Sequence, residues 1–417
     1  MGGISPIELH HAGINKLQED KVEDLYAATQ GARYCYSSKD KQQERAMAMG
    51  AEEDGGGQEG ELIPGLPDDV AMECLARVPS RSHRRMRRVC RGWRGAVGSA
   101  EFRRRRRTAG AAEDIVFLVQ SAPAGGDGKG STPECALAAL NLTTGEWRRV
   151  KGPAEAWGPV PLFAQCAAAG DGRHVAVVGG WDPDTLRPTS DVRVLDVPAG
   201  TWRRGRQMPD NRSFFGCAGG GDGNVYVAGG HDESKNALRS ALAYSVADDA
   251  WRALPDMSEE RDEPQLVATP GGGVLAASGY PTEAQGAFKK TAERFAAGAW
   301  TDEGDVVPDT AETCLASVQG KLWAVRAGKG GVREWDGVPR AWRDVAAGPP
   351  GVEACVKAVG VGDGDGAALF VFGTVADAAE GGKYSAWVME AGGAPWKRVP
   401  VPSRFSGFVY SAAAVRI

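Results

Sequence analysis

Histidines are the first residues to consider for metal or acid–base chemistry, and the sequence has five of them. His10 and His11 lie in a polar N-terminal segment and His83 in an arginine-rich one, which leaves His174 and His231. A copper-dependent oxidase needs at least two histidines that converge with tyrosines on one site. Both remaining histidines are better explained as structural residues. The sequence therefore argues against metal redox chemistry and predicts no cofactor.

Four of the eight cysteines recur at one position of a repeated pattern, each in a short apolar run that ends at or near glycine. They are Cys166, Cys217, Cys314 and Cys355. A metal cluster would have to draw these residues together from separate repeats, whereas a small, weakly polar side chain suits an apolar core. The sequence contains no C-x-x-C pair, which fits reduced, buried thiols better than a disulfide framework. We therefore predict structural cysteines and no metal site.

The elements that must position any functional residue are short. Glycine makes up 58 of the 417 residues, and about twice the average usage points to many tight turns rather than long helices. The most apolar stretches, such as 174–180, stop at glycine, far short of the roughly 20 residues of a membrane span. Acidic residues and histidines occupy the first 30 residues, where a secretory signal is apolar. These features predict an intracellular protein of the cytoplasm and/or nucleus, with no membrane partner.

Charge is distributed in blocks, although the formal net charge is only −5. Residues 61–110 contain thirteen Arg and no Lys against five acidic residues, whereas residues 1–60 are acidic. The basic block is either a docking surface for an acidic partner or a solvated helical face. The acidic segment 1–60 is polar, with glycines near its end, which predicts a disordered leader. Met47 and Met49 suggest the hypothesis that the native chain begins within this leader.

The basic segment 61–110 has helical periodicity over 61–102. Pro67 followed by Asp68 and Asp69 marks a helix start, because acidic residues complement the helix dipole there. Pro79 ends this helix and Ser80 can cap the next. Apolar residues then recur at helical spacing on two predicted faces, namely Val70, Cys74, Leu75 and Val78, then Met86, Val89, Cys90, Trp93 and Val97. So small a module buries too little surface to be stable alone, so an apolar face is expected to meet a partner.

This module resembles the F-box, whose consensus opens with Leu-Pro-Asp-Asp and closes with Val-Cys-x-x-Trp and Glu-Phe. The matching residues lie at 66–69, at 89–93 and at 101–102. The resemblance implies docking onto the Skp adaptor of a cullin–RING ubiquitin ligase. The residues implied in that contact are Leu66, Pro67, Val70, Leu75, Met86, Val89 and Trp93. His83 and Arg84 stand where many family members have two leucines, so we expect part of the apolar contact to be missing and affinity to suffer.

Five consecutive arginines, 103–107, follow the module. Such a run is typical of a nuclear localisation or nucleic-acid patch, and it is equally typical of a solvated helix end. No aromatic residues interleave with the arginines, and base stacking would require them. We therefore favour the helix end and predict no nucleic-acid partner.

A repeat dominates the chain after residue 110. Tryptophans recur with a mean spacing of about 50 residues, at Trp147, Trp202, Trp251, Trp300, Trp342 and Trp396. Each follows an apolar run and a second strand-like segment, and a four-stranded unit of this length is typical of a kelch propeller blade. Runs resembling an innermost strand precede all units except the first, and a sixth such run, 408–415, lies at the C-terminus. We therefore predict an all-β six-bladed propeller over 111–417, closed when 408–415 completes the first blade.

Segments 179–196, 208–246 and 254–263 resemble plant kelch-repeat F-box proteins. Within that family the resemblance is strongest to members that target phenylalanine ammonia-lyase for ubiquitin-dependent turnover, and related members act on response regulators of cytokinin signalling. The resemblance implies a non-catalytic substrate-recognition subunit of an SCF-type (Skp–cullin–F-box) ligase. Its client would be phenylalanine ammonia-lyase, so that it restrains phenylpropanoid biosynthesis. The alternatives are turnover of cytokinin response regulators and a kelch scaffold with a non-functional F-box.

Loops at one end of a propeller are the expected client-binding elements, because a rigid scaffold holds them while they vary. The connections after the glycine pairs and those before the next inner strand provide the candidate residues. These are Trp181, Asp182, Arg212, Phe214, His231, Lys235 and Arg261. Arginine and tryptophan are favoured anchors of protein interfaces, whereas the alternative is that these residues pack local turns and blades.

Overall fold

The computed structural model describes residues 61–121, 135–152, 157–308, 313–328, 330–338, 340–375, 383–393 and 395–417. The predicted leader, residues 1–60, lies outside these described residues. The described chain forms a small helical module followed by a six-bladed β-propeller, so the predicted fold class is confirmed. No helix in this part of the chain is long and apolar enough to cross a membrane.

The helical module contains four helices: α1 (Asp68–Ala76), α2 (His83–Met86), α3 (Arg91–Gly98) and α4 (Ala100–Thr108). Helix α1 begins at the predicted aspartates. The core of the helical module consists of apolar side chains from all four helices, namely Leu75, Ala76, Met86, Val97 and Phe102. A core of this size is small, and the module gains further stability by packing on the propeller.

The second predicted helix is interrupted, and this part of the sequence reading was wrong. The chain leaves the helix after Met86 and resumes at Arg91, with Cys90 as the N-cap whose sulfur accepts from the Trp93 N–H at 3.4 Å. The interruption turns Val89 outward while Met86 stays in the core. Ser80 does not cap a helix with its side chain, because it is bound elsewhere, as described below.

Six four-stranded antiparallel sheets form the blades of the propeller. Blade 1 consists of β24 (Val409–Arg416), β1 (Asp114–Ser121), β2 (Cys135–Asn141) and β3 (Glu146–Arg149). Blade 2 consists of β4 (Gln165–Ala168), β5 (His174–Val178), β6 (Val192–Asp196) and β7 (Thr201–Arg204). Blade 3 consists of β8 (Gly216–Gly219), β9 (Asn224–Ala228), β10 (Ala241–Ser245) and β11 (Ala250–Ala253).

The remaining blades repeat this order. Blade 4 consists of β12 (Gln265–Ala268), β13 (Val274–Ala277), β14 (Thr291–Ala296) and β15 (Ala299–Asp305). Blade 5 consists of β16 (Thr313–Val318), β17 (Lys321–Arg326), β18 (Gly331–Asp336) and β19 (Ala341–Ala347). Blade 6 consists of β20 (Val352–Val361), β21 (Ala368–Val375), β22 (Tyr384–Glu390) and β23 (Lys397–Val399).

The innermost strands contact one another in the cyclic order β24, β4, β8, β12, β16 and β20, which closes the ring. The C-terminal strand β24 pairs antiparallel with β1, with Phe117 opposite Ala413. The chain therefore closes by joining its last strand to its first propeller strand. This pairing leaves neither β1 nor β24 as an open sheet edge on that side.

The six repeat tryptophans tie each blade to the preceding one. Every indole N–H donates to a backbone carbonyl at or just after the end of the outer strand of the preceding blade. The acceptors are Pro400 for Trp147 (2.8 Å), Lys151 for Trp202 (3.1 Å), Arg206 for Trp251 (2.7 Å), Pro255 for Trp300 (2.8 Å), Val306 for Trp342 (2.7 Å) and Ala347 for Trp396 (2.9 Å). The regular spacing of the tryptophans in the sequence thus reflects one repeated contact: at each blade interface lies a large indole ring whose N–H is hydrogen-bonded.

Strand register corrects the assignment of one cysteine. Cys166, Cys217 and Cys314 each pair at the second position of an inner strand, opposite Val177, Val227 and Val325 respectively. Cys355 instead lies in the bulged beginning of β20, where regular pairing starts only at Lys357. Burial raises the pKa of the Cys166 thiol to about 12, which is the behaviour of an inert core thiol.

The propeller has two different ends, because consecutive strands of each blade alternate in direction. The β4–β5 and β6–β7 turns and their equivalents form one end, which we call the helical end, because α1–α4 pack there. Arg107 of α4 reaches Asp363 in the β20–β21 turn at 3.6 Å. The β5–β6 and β7–β8 connections and their equivalents form the opposite loop end.

Candidate functional site

The helical module presents an exposed apolar surface. Val70 is 43% exposed and Val89 is 61% exposed, and the only other exposed large hydrophobic residue in the described chain is Val338 at 86%. Pro67 is also exposed. Two of the three such side chains therefore lie on the small module where the sequence predicts adaptor docking.

Burial corrects two of the predicted adaptor contacts. Leu75 and Met86 lie in the core of the module and hold its helices together, so they cannot contact a partner directly. Leu66 and Trp93 are half-buried. The Trp93 indole N–H donates to the Leu62 carbonyl at 2.6 Å and fixes the segment before α1 against α3.

His83 belongs to the module core rather than to its surface, which corrects the expectation that it removes an apolar adaptor contact. The side chain is buried, and its ring meets Phe102 edge-on at 5.3 Å between centroids. Its Nε2 lies 3.2 Å from the Val78 carbonyl oxygen. Burial, with the neighbouring Arg106 guanidinium, lowers the pKa of His83 to about 4. The imidazole is therefore neutral and acts as a core side chain, while Arg84 is exposed.

A buried ion pair joins the module to the propeller. Arg106 of α4 lies 3.0 Å from Glu113, with both side chains almost inaccessible to solvent. Glu113 also accepts from the Ser80 backbone N–H at 2.7 Å, from the Ser80 hydroxyl at 2.6 Å and from the Asn141 amide of β2. Its backbone pairs with Ile417. One carboxylate thus connects the helical module, the first blade and the C-terminus.

The arginine run is committed to intramolecular contacts. Besides the Glu113 carboxylate, Arg106 donates to the carbonyls of Ala76 and Val78 at 2.8 and 2.6 Å. Arg105 donates to Glu101 at 2.6 Å and Arg107 faces Asp363. The run is therefore a helix end that makes contacts within the protein. Its residue Arg106 is fully buried, whereas the sequence predicted a solvated helix end.

All seven predicted client residues lie at the loop end, opposite the helical module. Trp181 and His231 follow the glycine pairs of blades 2 and 3, and each forms a β-bridge to the connection that precedes its own blade. A Cβ on Gly230 would lie 2.3 Å from the Ser213 carbonyl oxygen, and the residue has φ +82°. The glycine therefore permits this close approach, which brings two connections of one blade side by side.

Five aromatic side chains form a continuous half-buried cluster at the loop end of the inner strands, which we call the aromatic rim. Its members are Phe163, Trp181, Phe214, Phe408 and Tyr410. Phe163 is central, with ring centroids 5.0 Å from Phe214, 5.0 Å from Tyr410 and 5.6 Å from Trp181. The Trp181 indole N–H donates to the Ser213 hydroxyl, which anchors the cluster to the β7–β8 connection. Large rings that remain partly accessible are the side chains that most often anchor protein interfaces.

The backbone holds three equivalent loop-end residues in the left-handed region. Phe163, Phe214 and Glu263 each lie two residues before an inner strand, with φ of +59°, +52° and +52°. Non-glycine residues adopt this conformation only where the surrounding structure imposes it, and such positions cluster at functional sites. The rim residues Phe163, Phe408 and Tyr410 and the acidic Glu263 were missed from the sequence. The recurrence of phenylalanine before Cys166 and Cys217 was a usable signal for Phe163.

Two of the predicted client residues organise their own turns. The Asp182 carboxylate accepts from the Thr185 N–H at 2.8 Å and from the Asp184 N–H at 3.1 Å. The Lys235 N–H donates to the Asp232 carbonyl at 3.0 Å, and its side chain is exposed. Lys235 remains accessible to a client, whereas the hydrogen bonds of Asp182 are already used within the loop.

Arg212 and Arg261 are not surface anchors, and their prediction as client contacts is corrected. Each side chain is 1% exposed. Arg261 donates to the carbonyls of Ser278 and Thr291 at 2.8 and 3.2 Å and pairs with the buried Glu293 at 3.1 Å. Arg212 donates to the Ser240 carbonyl at 3.2 Å. Both arginines position the connections of their blade by adding side-chain hydrogen bonds to backbone carbonyls there.

His231 connects the aromatic rim to an acidic pair. Its ring stacks on Phe214 at 5.4 Å, and its Nδ1 lies 2.9 Å from an Asp262 carboxylate oxygen. The adjacent Glu263 accepts from the Tyr280 hydroxyl at 3.0 Å. Burial and the neighbouring Asp262 raise the pKa of Glu263. His174 begins β5 at the helical end, so the two propeller histidines lie at opposite ends and cannot share a metal ion.

The fold defines a class of protein: a small helical module with exposed apolar residues, fixed to one end of a six-bladed propeller whose recognition-type loops lie at the other end. Comparison with known families matches residues 63–105 to the F-box domain and residues 163–209 and 214–258 to the Kelch motif. These matches cover the helical module and blades 2 and 3, and the structure shows that the other four blades share the same architecture.

The chain belongs to the F-box/kelch-repeat protein family. It is 41% identical over 278 residues to the Arabidopsis thaliana F-box/kelch-repeat protein At2g44130, covering 60% of this chain and 67% of that protein. It is 42% identical over 274 residues to F-box/kelch-repeat protein SKIP20 of the same plant, covering 57% of this chain and 64% of that protein. F-box/kelch-repeat protein At1g80440, also from Arabidopsis thaliana, is 39% identical over 282 residues, covering 64% of this chain and 77% of that protein.

Proposed function

We propose that this protein is a non-catalytic substrate-recognition subunit of an SCF-type ubiquitin ligase. The F-box domain and the kelch propeller, together with F-box/kelch relatives, support an adaptor of this kind. The observation that carries the proposal is the exposed apolar surface of Val70 and Val89 on the F-box, with recognition loops at the far end of the propeller.

The mechanism is proximity. The F-box binds the Skp adaptor and thereby the cullin, while the loop end holds a client protein near the ubiquitin-transfer machinery and raises its effective concentration there. The buried Arg106–Glu113 pair contributes by fixing the module to the first blade, so that the client is presented in one orientation. This role requires no covalent chemistry from the chain, and we propose that the protein acts in the cytoplasm and/or nucleus.

We propose phenylalanine ammonia-lyase as the client, so that the protein restrains phenylpropanoid biosynthesis by proteasomal degradation of that enzyme. The support is the resemblance of segments 179–196 and 208–246 to family members with this client. The second candidate is turnover of cytokinin response regulators. A scaffold with a non-functional F-box is the third, and adaptor binding distinguishes it from the first two.

Adaptor binding is tested with charged substitutions on the exposed surface. We expect Val70→Asp combined with Val89→Asp to lower affinity for the Skp adaptor by at least about tenfold, because each substitution puts a charge into an apolar interface. Affinity is measured by biolayer interferometry with the purified full chain. Val338→Asp is the control, since it changes a still more exposed valine on blade 5, outside the F-box. Equal affinity of the double variant and the control would disprove docking at this surface.

Client identity is tested by affinity purification of the tagged protein from proteasome-inhibited plant cells, with mass spectrometry of the bound proteins. Co-purification of the Skp adaptor, a cullin and phenylalanine ammonia-lyase is the expected result. Adaptor and cullin with a response regulator in place of the lyase would favour the second candidate. Absence of adaptor and cullin from the folded, expressed protein would favour the scaffold.

A further inference from the structure

We propose that the loop end recognises a client segment in which a basic side chain neighbours an aromatic or large apolar side chain. This inference deepens the proposed function by giving the chemistry of the client, and it rests on that function only in naming the partner a client. Three features of the loop end carry it: the aromatic rim, an acidic connection beside it, and the geometry that joins them.

The aromatic rim supplies the apolar part of the site. Three of its rings come from the connections that lead into blades 1, 2 and 3, one from the residue after a glycine pair and one, Tyr410, from the beginning of β24, and all five remain half-buried. Phe163 and Phe214 have left-handed backbone conformations. The course of each loop at these residues is therefore set by the local backbone rather than by strand pairing. An aromatic or large apolar side chain of a partner would bury these rings and gain the aromatic contacts that stabilise interfaces.

The β11–β12 connection, 254–264, supplies the charge. It contains five acidic residues and one basic residue, Arg261, which is buried and paired with Glu259 and Glu293. Glu259 also pairs with Lys289 and Asp256 with Arg239. In the described part of the chain, Glu260, Asp262 and Glu263 have no Lys or Arg within ion-pair distance. Lys357 of β20 acts on Glu263 only at longer range.

His231 places this charge directly beside the rings. It stacks on Phe214 and contacts Asp262, whose neighbour Glu263 occupies the blade 4 position that is equivalent to Phe163 and Phe214. A basic side chain lying over the rim would therefore approach the half-buried Glu263 carboxylate and a π face, while the buried Asp262, bound to His231, adds its negative charge at longer range. Arginine combines both interactions, because its planar guanidinium pairs with carboxylates and stacks on aromatic rings.

Burial and the neighbouring Asp262 charge raise the pKa of Glu263, while the Tyr280 hydroxyl, His231 and Lys357 act in the opposite direction. A bound cation would add to this second group, because an opposite charge nearby favours the ionised carboxylate.

The test is selection of a phage-displayed library of random decapeptides for binding to the immobilised full chain. We expect enrichment of Arg or Lys within a few residues of Trp, Phe, Tyr or Leu. An enriched peptide, synthesised with a fluorescent label, is then titrated by fluorescence anisotropy. Glu263→Gln should weaken binding of this peptide about tenfold, because it removes the Glu263 carboxylate while the new amide oxygen can still accept from the Tyr280 hydroxyl.

Glu283→Gln is the matched control, since Glu283 is an exposed glutamate at the same end in the short helix Thr282–Ala284. It should leave peptide affinity unchanged. Enrichment of acidic peptides, no enrichment at all, or equal affinities of the two variants would each overturn the proposal. Adaptor affinity is measured on the same preparations. If the chain does not bind the adaptor but still enriches basic peptides, only the ligase role is contradicted. If it binds the adaptor but does not enrich basic peptides, only this inference is contradicted.

Discussion

At the scale of single residues, the buried arginines of the loop end show how the proposed recognition surface is held. Arg261 donates to two carbonyls and pairs with the buried Glu293 and with Glu259, so its charge is compensated within blade 4 and the connection that precedes it. Its contribution is to position the connection that carries Asp262 and Glu263. The same reasoning applies to Arg212 in blade 3, which binds the Ser240 carbonyl.

Arg261→Ala is expected to destabilise the protein by about 3–5 kcal/mol, because it leaves Glu293 buried without its partner. The measurement is the free energy of unfolding of the full chain in urea. Arg239→Ala is the control, since Arg239 forms only an exposed pair with Asp256 at 3.3 Å. If both variants unfold at the same urea concentration, the structural role of Arg261 is wrong.

His83 gives the helical module a pH-dependent stability. Its pKa is about 4 in the folded protein, against 6.5 for an unperturbed histidine. The unfolded chain therefore binds the additional proton between these values, and folding stability falls as the pH decreases from about 6.5 to about 4. Above pH 7 the imidazole is neutral in both states and the effect is absent.

His83→Leu should therefore raise the melting temperature more at pH 5 than at pH 7.5. Differential scanning calorimetry of the full chain at the two pH values measures this. His174→Gln serves as the control for a propeller histidine outside the module. If wild type and variant differ in melting temperature by the same amount at both pH values, His83 is not a buried, neutral side chain.

At the scale of elements, close packing of the inner strands limits which residues they can contain. A Cβ on Gly219 of β8 would lie 1.6 Å from the Ala168 carbonyl oxygen of β4 in the neighbouring blade. The clash is with backbone, which cannot rotate away. The small residues of the inner strands are therefore required by the approach of adjacent blades near the axis.

Gly219→Ala is expected to destabilise the propeller by about 1–3 kcal/mol, the usual cost of forcing extra atoms into a packed site. Gly221→Ala is the matched control, because a Cβ there would only touch the Gly272 Cα at 3.6 Å. Melting temperatures of the two variants give the comparison. A stable Gly219→Ala variant would mean that blades 2 and 3 separate more easily than their packing indicates.

The F-box shows how a local break decides which residues reach a partner. Apolar spacing alone assigns Met86, Val89, Trp93 and Val97 to one helical face. Because the helix is interrupted between Met86 and Arg91, Val89 faces solvent while Met86 and Val97 join the core. The break therefore separates residues that stabilise the module from residues that a Skp adaptor can contact.

At the scale of the whole molecule, the Glu113 carboxylate couples the F-box to the propeller. Burial by itself raises the pKa of Glu113, but hydrogen bonds from Ser80 and Asn141, with Arg106, hold it below its ordinary value. The group is thus ionised and fully bonded at neutral pH. This junction keeps the F-box at the helical end and leaves the loop end free.

Glu113→Ala should loosen this junction, since it leaves the buried Arg106 without its carboxylate. We expect faster hydrogen–deuterium exchange across α1–α4 and unfolding of the module at a lower temperature than the blades. Asp363→Ala is the control, because its pair with Arg107 is exposed and 3.6 Å long. Unchanged exchange in α1–α4 of the Glu113 variant would show that other contacts hold the module.

The repeat architecture was readable from local pattern. Six tryptophans at regular spacing, glycine at the ends of apolar runs and a surplus inner strand at the C-terminus predicted six blades and their closure by β24. The F-box was readable from its motif. Both succeed because blade packing and helix starts depend on residues that are close in sequence and repeat with a fixed period.

The recognition surface depended on the tertiary structure. Arg212 and Arg261 have the residue type of interface anchors, but strand pairing brings loop carbonyls around them and buries them. Phe163 and Tyr410 are about 250 residues apart in the chain, and only ring closure brings them into contact. The sequence by itself determined the blades, the F-box and the number of strands, because these follow from local periodicity. Ring closure alone decided which side chains meet at the loop end, because contacts between distant segments exist only after every blade has packed on its neighbour.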